Sequence, residues 1–262
     1  MDISLKNKNA IVCGSTSGIG KAIAIEFASL GASVTLIARD EIKLKQMIID
    51  LDNNGIQRLN FVAVDFNEPE KLKLKINEYV LQNPPVHILV NNTGGPPAGD
   101  ITKADVSEFQ NTFSRHLVCN QILVQALLEG MKKEKYGRII NVISTSVKQP
   151  INDLGVSNTI RGAVASWAKT LANEVGKFGI TVNNVLPGAT KTERIYELIK
   201  AKASMSGKTE REISDVMMSE IPAGRFAEPE ELAYAAAFLA SSSASYINGV
   251  SLAVDGGRIG CL

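Results

Sequence analysis

The chain predicts an α/β fold: a single domain over residues 1–262, built on a doubly wound sheet of about seven mostly parallel strands with helices on both faces. Three observations predict it. Short β-branched runs recur along the chain and are apolar throughout, as strands buried on both faces must be. Amphipathic segments at helical spacing alternate with them. The first run leads directly into a glycine-rich turn and then a helical pattern, the unit from which such sheets are assembled.

The first strand is expected at Ala10–Cys13. Beyond the turn, Ile19, Ile23, Phe27 and Leu30 recur at helical spacing, with Gly31 placed to end that helix. Further strands are expected at Ser33–Ala38, Phe61–Val64, His87–Val90, Arg138–Ile143, Ile180–Leu186 and Ser251–Val254. Pro69 and Pro229 each precede Glu and an apolar periodic run, as the first turn of a helix does. Residues 191–222 break the rhythm, being polar and helical in tendency with a soft middle at Ser204–Gly207. They follow the sixth strand, where carboxyl-end loops cover a ligand crevice, so they read as a lid inserted within the domain. A helical insertion serving an oligomer contact is the alternative.

Bulk properties narrow the function classes. The 262 residues are 45% hydrophobic and 21% charged, an ordinary globular composition that can bury a sizeable core. A net charge of +1 with scattered lysines offers no electrostatic footprint for nucleic acid. Cys13, Cys119 and Cys261 are too few and too dispersed for a disulfide framework or a zinc site, so no metal is expected. Residues 1–9 lack an apolar signal core, and no apolar run reaches the roughly 18 residues of a membrane span. A cytoplasmic protein without a membrane or nucleic-acid partner is the expectation.

The turn Gly14-Ser15-Thr16-Ser17-Gly18-Ile19-Gly20 lets backbone approach a pyrophosphate at a helix N-terminus, whose dipole favours negative charge. About 20 residues on, the second strand ends in Ala38-Arg39-Asp40. Arg39 suits a 2′-phosphate, because guanidinium grips phosphate bidentately. NADP(H) is therefore preferred, with NAD(H) the alternative if Asp40 instead binds a ribose.

With Asn91-Asn92-Thr93-Gly94 after the fourth strand, Pro187-Gly188 after the sixth and Asp255-Gly256-Gly257 near the end, the chain resembles the short-chain dehydrogenase/reductase family, of the 3-oxoacyl-acyl-carrier-protein-reductase-like type. The resemblance covers nearly all of the chain and implies a Rossmann-type fold, a nicotinamide cofactor and a homotetramer or dimer. It further implies that Asp65 and Phe66 border the adenine, that Asn91, Thr93 and Gly94 line the cofactor, and that Pro187, Gly188, Thr190 and Thr192 hold the nicotinamide end. Two residues depart from the pattern here: Cys13 stands for the usual Thr and Thr93 for Ala.

The larger departure is catalytic. The family uses an Asn on its fourth helix, then a Ser, then Tyr-x-x-x-Lys. Counted from local landmarks, Ser144 keeps the Ser, while His116 takes the Asn position, Ser157 the Tyr position and Arg161 the Lys position. No Tyr lies between Tyr136 and Tyr196, so no shift of register is expected to restore the motif, and the chain reads as an atypical member that lacks Tyr-x-x-x-Lys. A Ser hydroxyl is a far weaker acid than a Tyr, and losing a positioned general acid costs about 10²–10⁴ in rate. Arg161 keeps a permanent charge near the developing alkoxide and, in the family's place for Lys, near the ribose. His116 either supplies a proton or makes a structural hydrogen bond. His87, away from the crevice, is expected to be structural, and Tyr196 on the lid is a further candidate donor.

Three functions follow. The first is an active NADP(H)-dependent carbonyl reductase or alcohol dehydrogenase with a rebuilt proton relay, acting on a small carbonyl or alcohol. The second is a non-catalytic cofactor-binding protein. The third is an aldehyde or imine reductase that needs little acid.

Overall fold

A computed structural model describes residues 1–51 and 58–261. Its seven strands are β1 (Asn9–Cys13), β2 (Ser33–Ala38), β3 (Leu59–Ala63), β4 (Ile88–Asn91), β5 (Gly137–Val142), β6 (Ile180–Pro187) and β7 (Ser251–Val254). They form one sheet in the order β3-β2-β1-β4-β5-β6-β7, and every neighbouring pair is parallel. All seven expected strands are present, β2 and β7 at their expected bounds and the other five with ends displaced by at most two residues. The largest displacement is β3, expected at Phe61–Val64, because its pairing with β2 begins already at Leu59↔Val34.

The chain reverses direction across the sheet between β1 and β4, and this is where an open α/β sheet leaves a crevice beyond its carboxyl ends. Helices α1 (Gly18–Ser29), α2 (Glu41–Leu51) and α9 (Pro229–Ala240) bury Phe27, Leu44 and Leu232 against one face. Helices α3 (Pro69–Gln82), α5 (Cys119–Glu134) and α6 (Gly155–Val175) bury Leu72, Leu123 and Ala168 against the other. Each large side chain so buried stabilises the fold by about 1.5–3 kcal/mol. Pro69 and Pro229 occupy the first turns of α3 and α9, and α1 ends just before Gly31.

Helix α4 (Val106–Phe113) runs into α5 through a π-helical turn at Ser114–Val118. Such a bulge inserts one residue and turns the side chains beyond it onto a new bearing, which here carries His116 inward. After β6 come α7 (Glu193–Ser206) and α8 (Glu210–Ser219), which share their own apolar cluster of Ile195, Ile199, Ala203, Ile213, Ile221 and Phe226. No helix among the described residues is long and apolar enough to cross a membrane.

At the carboxyl end of the sheet an amide ladder ties four strands together. Asn91 Nδ2 donates to Asn141 Oδ1 (2.8 Å), Asn141 Nδ2 to Asn184 Oδ1 (2.9 Å), and Asn184 Nδ2 to Ser251 Oγ (3.1 Å). The strand register puts these residues side by side, so β4 to β7 present a fixed platform to whatever lies above them.

Candidate cofactor and active site

The glycine turn is shaped by sterics. Gly14 has φ +59°, in the left-handed region, and a Cβ on Gly20 would meet the Gly14 carbonyl oxygen at 2.2 Å. Asn92, which the sequence reading left out of the site, holds this turn to β4: its Nδ2 donates to Cys13 O (3.2 Å) and Gly14 O (3.4 Å). Ser15 is fully buried, with its N–H directed at Ile37 O on β2. Ser17 is the N-cap of α1, but no side chain caps that helix. Among the described residues the first-turn N–H groups of Gly18, Ile19 and Gly20, beyond Thr16 and Ser17, have no hydrogen-bond partner, which is what an anion cradle requires.

The rest of the cofactor set converges from three loops. Thr192 is the N-cap of α7, and its Cγ2 lies 3.1 Å from where a Cβ on Gly18 would stand. Thr192 Oγ1 donates to Thr190 O (3.3 Å) and Thr190 Oγ1 to Gly188 O (3.1 Å), a chain that fixes the turn after Pro187. Asn91, Asn92 and Thr93 line one depression together with His116, Asn120, Val142, Ile143, Arg161 and Val164. Asn91 Oδ1 is buried and has no partner among the described residues. Asp65 accepts from the Asn67 N–H (2.9 Å), and Phe66 is buried, its carbonyl taking the Cys119 thiol at 3.4 Å.

At the end of β2 the two candidates separate. Asp40 Oδ1 accepts from the Lys43 N–H (3.1 Å), so it serves as a cap for α2. Arg39 is exposed, with no ion pair among the described residues. The residues present thus fit a phosphate-bearing dinucleotide, with Arg39 free for an additional phosphate.

In the catalytic half, Ser157 and Arg161 stand one turn apart on α6 and so share a face. Arg161 is only 9% exposed; its Nη1 donates to Val142 O (2.9 Å), and it has no ion pair among the described residues. Burial, reinforced by the nearby Arg194 charge, pushes its pKa down to about 10, so it stays a cation at neutral pH. Ser144 lies two residues beyond β5, where it caps a 3-10 turn at Thr145–Val147; its Oγ accepts from the Ser146 N–H (3.1 Å), which leaves its own hydroxyl hydrogen for a ligand. The Ser157 hydroxyl has no partner among the described residues. Neither Ser144 nor Ser157 is among the residues that line the depression.

His116 sits 3% exposed, its Nε2 3.2 Å from Gly94 O. A carbonyl only accepts, so Nε2 carries the hydrogen and Nδ1 is the bare nitrogen. Burial, then the Arg161 and Arg115 charges, hold its pKa well below the usual 6.5, against a smaller opposing effect of Gly94. A neutral imidazole is a poor acid, so the geometry favours the structural reading: His116 braces the Asn91–Gly94 segment. A consequence is measurable. The unfolded chain binds this proton below about pH 6.5 and the native state does not, so stability is fully present above that pH and is lost as pH falls below it, by up to about 1.4 kcal/mol per unit. His87, also depressed by burial and by Lys8, has the same sign. His116→Asn is expected to flatten the slope of denaturation midpoint against pH between 5 and 6.5; an unchanged slope would assign it to His87 and the carboxylates.

His87 is structural as expected: its Nδ1 accepts from the Asn9 N–H (3.0 Å) at the opposite end of the sheet. Tyr196 is not brought inward. It is 56% exposed on α7, because the apolar face of that helix is Ile195, Ile199 and Ala203. Contrary to the expectation that no Tyr-x-x-x-Lys is present, Tyr196 and Lys200 have that spacing, but both are exposed on α7 and neither lines the depression that holds Arg161.

The Enoyl-(Acyl carrier protein) reductase family profile matches residues 14–258. The chain is 33% identical over 257 residues to the 3-oxoacyl-acyl-carrier-protein reductase FabG of Vibrio cholerae, covering 97% of this chain and 98% of that protein. It is 33% identical to L-sorbose reductase from Gluconobacter frateurii, solved with NADPH and L-sorbose, with a TM-score of 0.93 and all of both chains covered. A gluconate 5-dehydrogenase from Burkholderia cenocepacia, solved with NADP and tartrate, superimposes with a TM-score of 0.89 at 25% identity, over 100% of this chain and 98% of that one.

Proposed function

Since this chain belongs to the short-chain dehydrogenase/reductase family, we propose that it is an NADP(H)-dependent oxidoreductase interconverting a small carbonyl compound and its alcohol, with a proton relay that uses no tyrosine. The observation that carries this reading is the joining of the uncapped glycine turn, under Thr192 and Asn92, to a buried unpaired Arg161 at the same sheet end.

Gly14–Gly20, Asp65, Phe66, Asn91, Thr93, Gly94, Pro187, Gly188, Thr190 and Thr192 would hold the cofactor, and Arg39 the 2′-phosphate. When bound, the nicotinamide supplies the hydride. Ser144 donates its free hydroxyl hydrogen to the substrate oxygen and orients it. Arg161 stabilises the negative charge that grows on that oxygen in a buried setting where charge is poorly screened. Ser157, too weak an acid to be left as an anion, holds a water that relays a proton from bulk solvent to the alkoxide, the water regaining from solvent the proton it passes on. His116 positions Gly94 and stays neutral. The reading takes residues 191–222 as a lid over this crevice, a homotetramer as the assembly and the cytoplasm as the location. It is favoured over a non-catalytic binder because polar and charged groups, rather than apolar ones, fill the altered positions.

Binding of NADPH and NADH by calorimetry, then NADPH oxidation against a carbonyl panel, tests the proposal. NADPH binding with turnover is expected. Binding without turnover on a broad panel would move the assignment to a cofactor-dependent binding protein, and imine turnover without ketone turnover to the third alternative. Arg39→Ala is expected to weaken NADPH at least about tenfold while sparing NADH, since a charge-assisted contact contributes roughly 1.5–3 kcal/mol. Equal losses for both cofactors would take the 2′-phosphate away from Arg39.

A further inference from the structure

Two guanidinium groups bracket one loop at the mouth of the crevice. Arg194, in the first turn of α7, donates from Nη2 to Pro96 O at 2.7 Å. Arg161 rises from α6 on the other side, its Nη2 3.8 Å from where a Cβ on Gly95 would stand. Neighbouring Gly95 and Pro96 thus carry a cation on each side.

Like charges held together in a partly dry site are costly unless something anionic joins them. The fold provides little. Arg161 is nine-tenths buried and spends one Nη1 bond on Val142 O; among the described residues its Nε and Nη2 donors are uncommitted and no carboxylate is within ion-pair reach. Arg194 has only Glu197, at 3.8 Å on an exposed side chain of its own helix. A third cation, Arg115, lies close enough to join Arg161 in depressing His116.

The cofactor's phosphates do not answer this charge. Their cradle follows β1 and Arg39 follows β2, whereas Arg161 is anchored on β5, two and three strands away in the sheet. At about 4.8 Å per strand that is roughly 10 and 14 Å. Arg161 therefore faces the substrate side; Arg194, although it follows Thr192 at the Gly18 turn, is held to Pro96 O next to Gly95 and Arg161.

We infer that the substrate carries a carboxylate close to its reacting carbon, as in a 2- or 3-oxo acid or the matching hydroxy acid, and that Arg194 grips the carboxylate beside the carbonyl oxygen that Arg161 faces. The inference rests on the oxidoreductase reading for the reacting carbon, and on the two arginines alone for the anion. Guanidinium forks match carboxylate geometry, and an uncharged ester or thioester offers them no such partner.

The test has two arms. In the first, 2-oxobutyrate and acetoacetate are each compared with their methyl esters under saturating NADPH, for wild type, Arg194→Met and Arg194→Lys. The acids are expected to be preferred by about tenfold or more in kcat/KM. That preference collapses in Arg194→Met and is partly kept in Arg194→Lys. In the second arm, malonate is titrated into the NADPH complex of each protein. Binding that weakens about tenfold or more in Arg194→Met, with NADPH affinity and melting temperature held, supports the site. Esters reduced as well as acids, or no malonate binding to the wild-type complex, overturns it and leaves the reductase assignment standing. If no carbonyl compound is turned over, the reductase assignment fails, and the malonate arm alone decides whether the anion site exists.

Discussion

Gly20→Ala is expected to lower NADPH affinity by about 100-fold or more. The added Cβ would stand 2.2 Å from Gly14 O, 2.8 Å from Gly14 C and 2.6 Å from Asn92 Nδ2. Two of these three neighbours are backbone, so no rotamer change relieves the contact. Either the β1–α1 turn opens or α1 shifts, and overpacking of this kind costs about 1–3 kcal/mol or more. The same displacement moves the free N–H groups of the first helical turn away from the pyrophosphate, so affinity falls along with stability. Calorimetry with NADPH and a melting curve on the same sample read both effects. Wild-type affinity in Gly20→Ala would mean that the cofactor does not use this turn.

Arg161→Met is expected to separate activity from stability. Removing a preorganised positive group that faces developing negative charge costs about 10²–10³ in kcat. The folded protein, however, holds this cation 9% exposed without an ion pair among the described residues, and the desolvation of such a charge is a cost that an apolar side chain of similar length does not carry. The melting temperature of Arg161→Met should therefore equal or exceed that of the wild type, while carbonyl turnover nearly vanishes. Arg161→Lys keeps the charge, loses the Val142 contact and should fall between them. A strongly destabilised Arg161→Met would show that Arg161 acts as a structural brace through Val142 O. Unaltered turnover would remove it from the chemistry.

The parts of this protein that could be read in advance are those set by near neighbours in the chain. The apolar run Ala10–Cys13 followed by Gly14 and an amphipathic stretch is one local unit, so the first strand, the turn and α1 were all visible in it. The same holds for Pro69 and Pro229, whose fixed φ belongs in a first helical turn. Asn92 illustrates the opposite case. It stood in a quoted motif, yet its part in holding the glycine turn depends on a contact 78 residues away in sequence. The doubled Asn at the end of β4 was the available signal. Arg194 gave no signal at all: in the chain it is one charge in a polar helix, and only the seat of α7 over Pro96 brings it to the crevice.

Sequence by itself determined the fold class and the strand–turn–helix unit at Gly14–Gly20, and from it came the expectations that this turn and Arg39 serve a cofactor and that Ser157 and Arg161 stand at the family's Tyr and Lys positions. Those features follow from residue type and short spacing, which the linear chain contains in full. Only the tertiary structure decided the protonation and partnership of the groups in the crevice. His116 was read as able to move a proton or, more readily, to brace a loop, and burial with two arginine charges favours the second, with a neutral ring donating to Gly94 O. Tyr196 looked available until the apolar face of α7 turned it to solvent. The physical reason is common to both: desolvation and Coulomb energies depend on distances between residues far apart in the chain, and those distances exist only once the sheet and its covering helices have assembled.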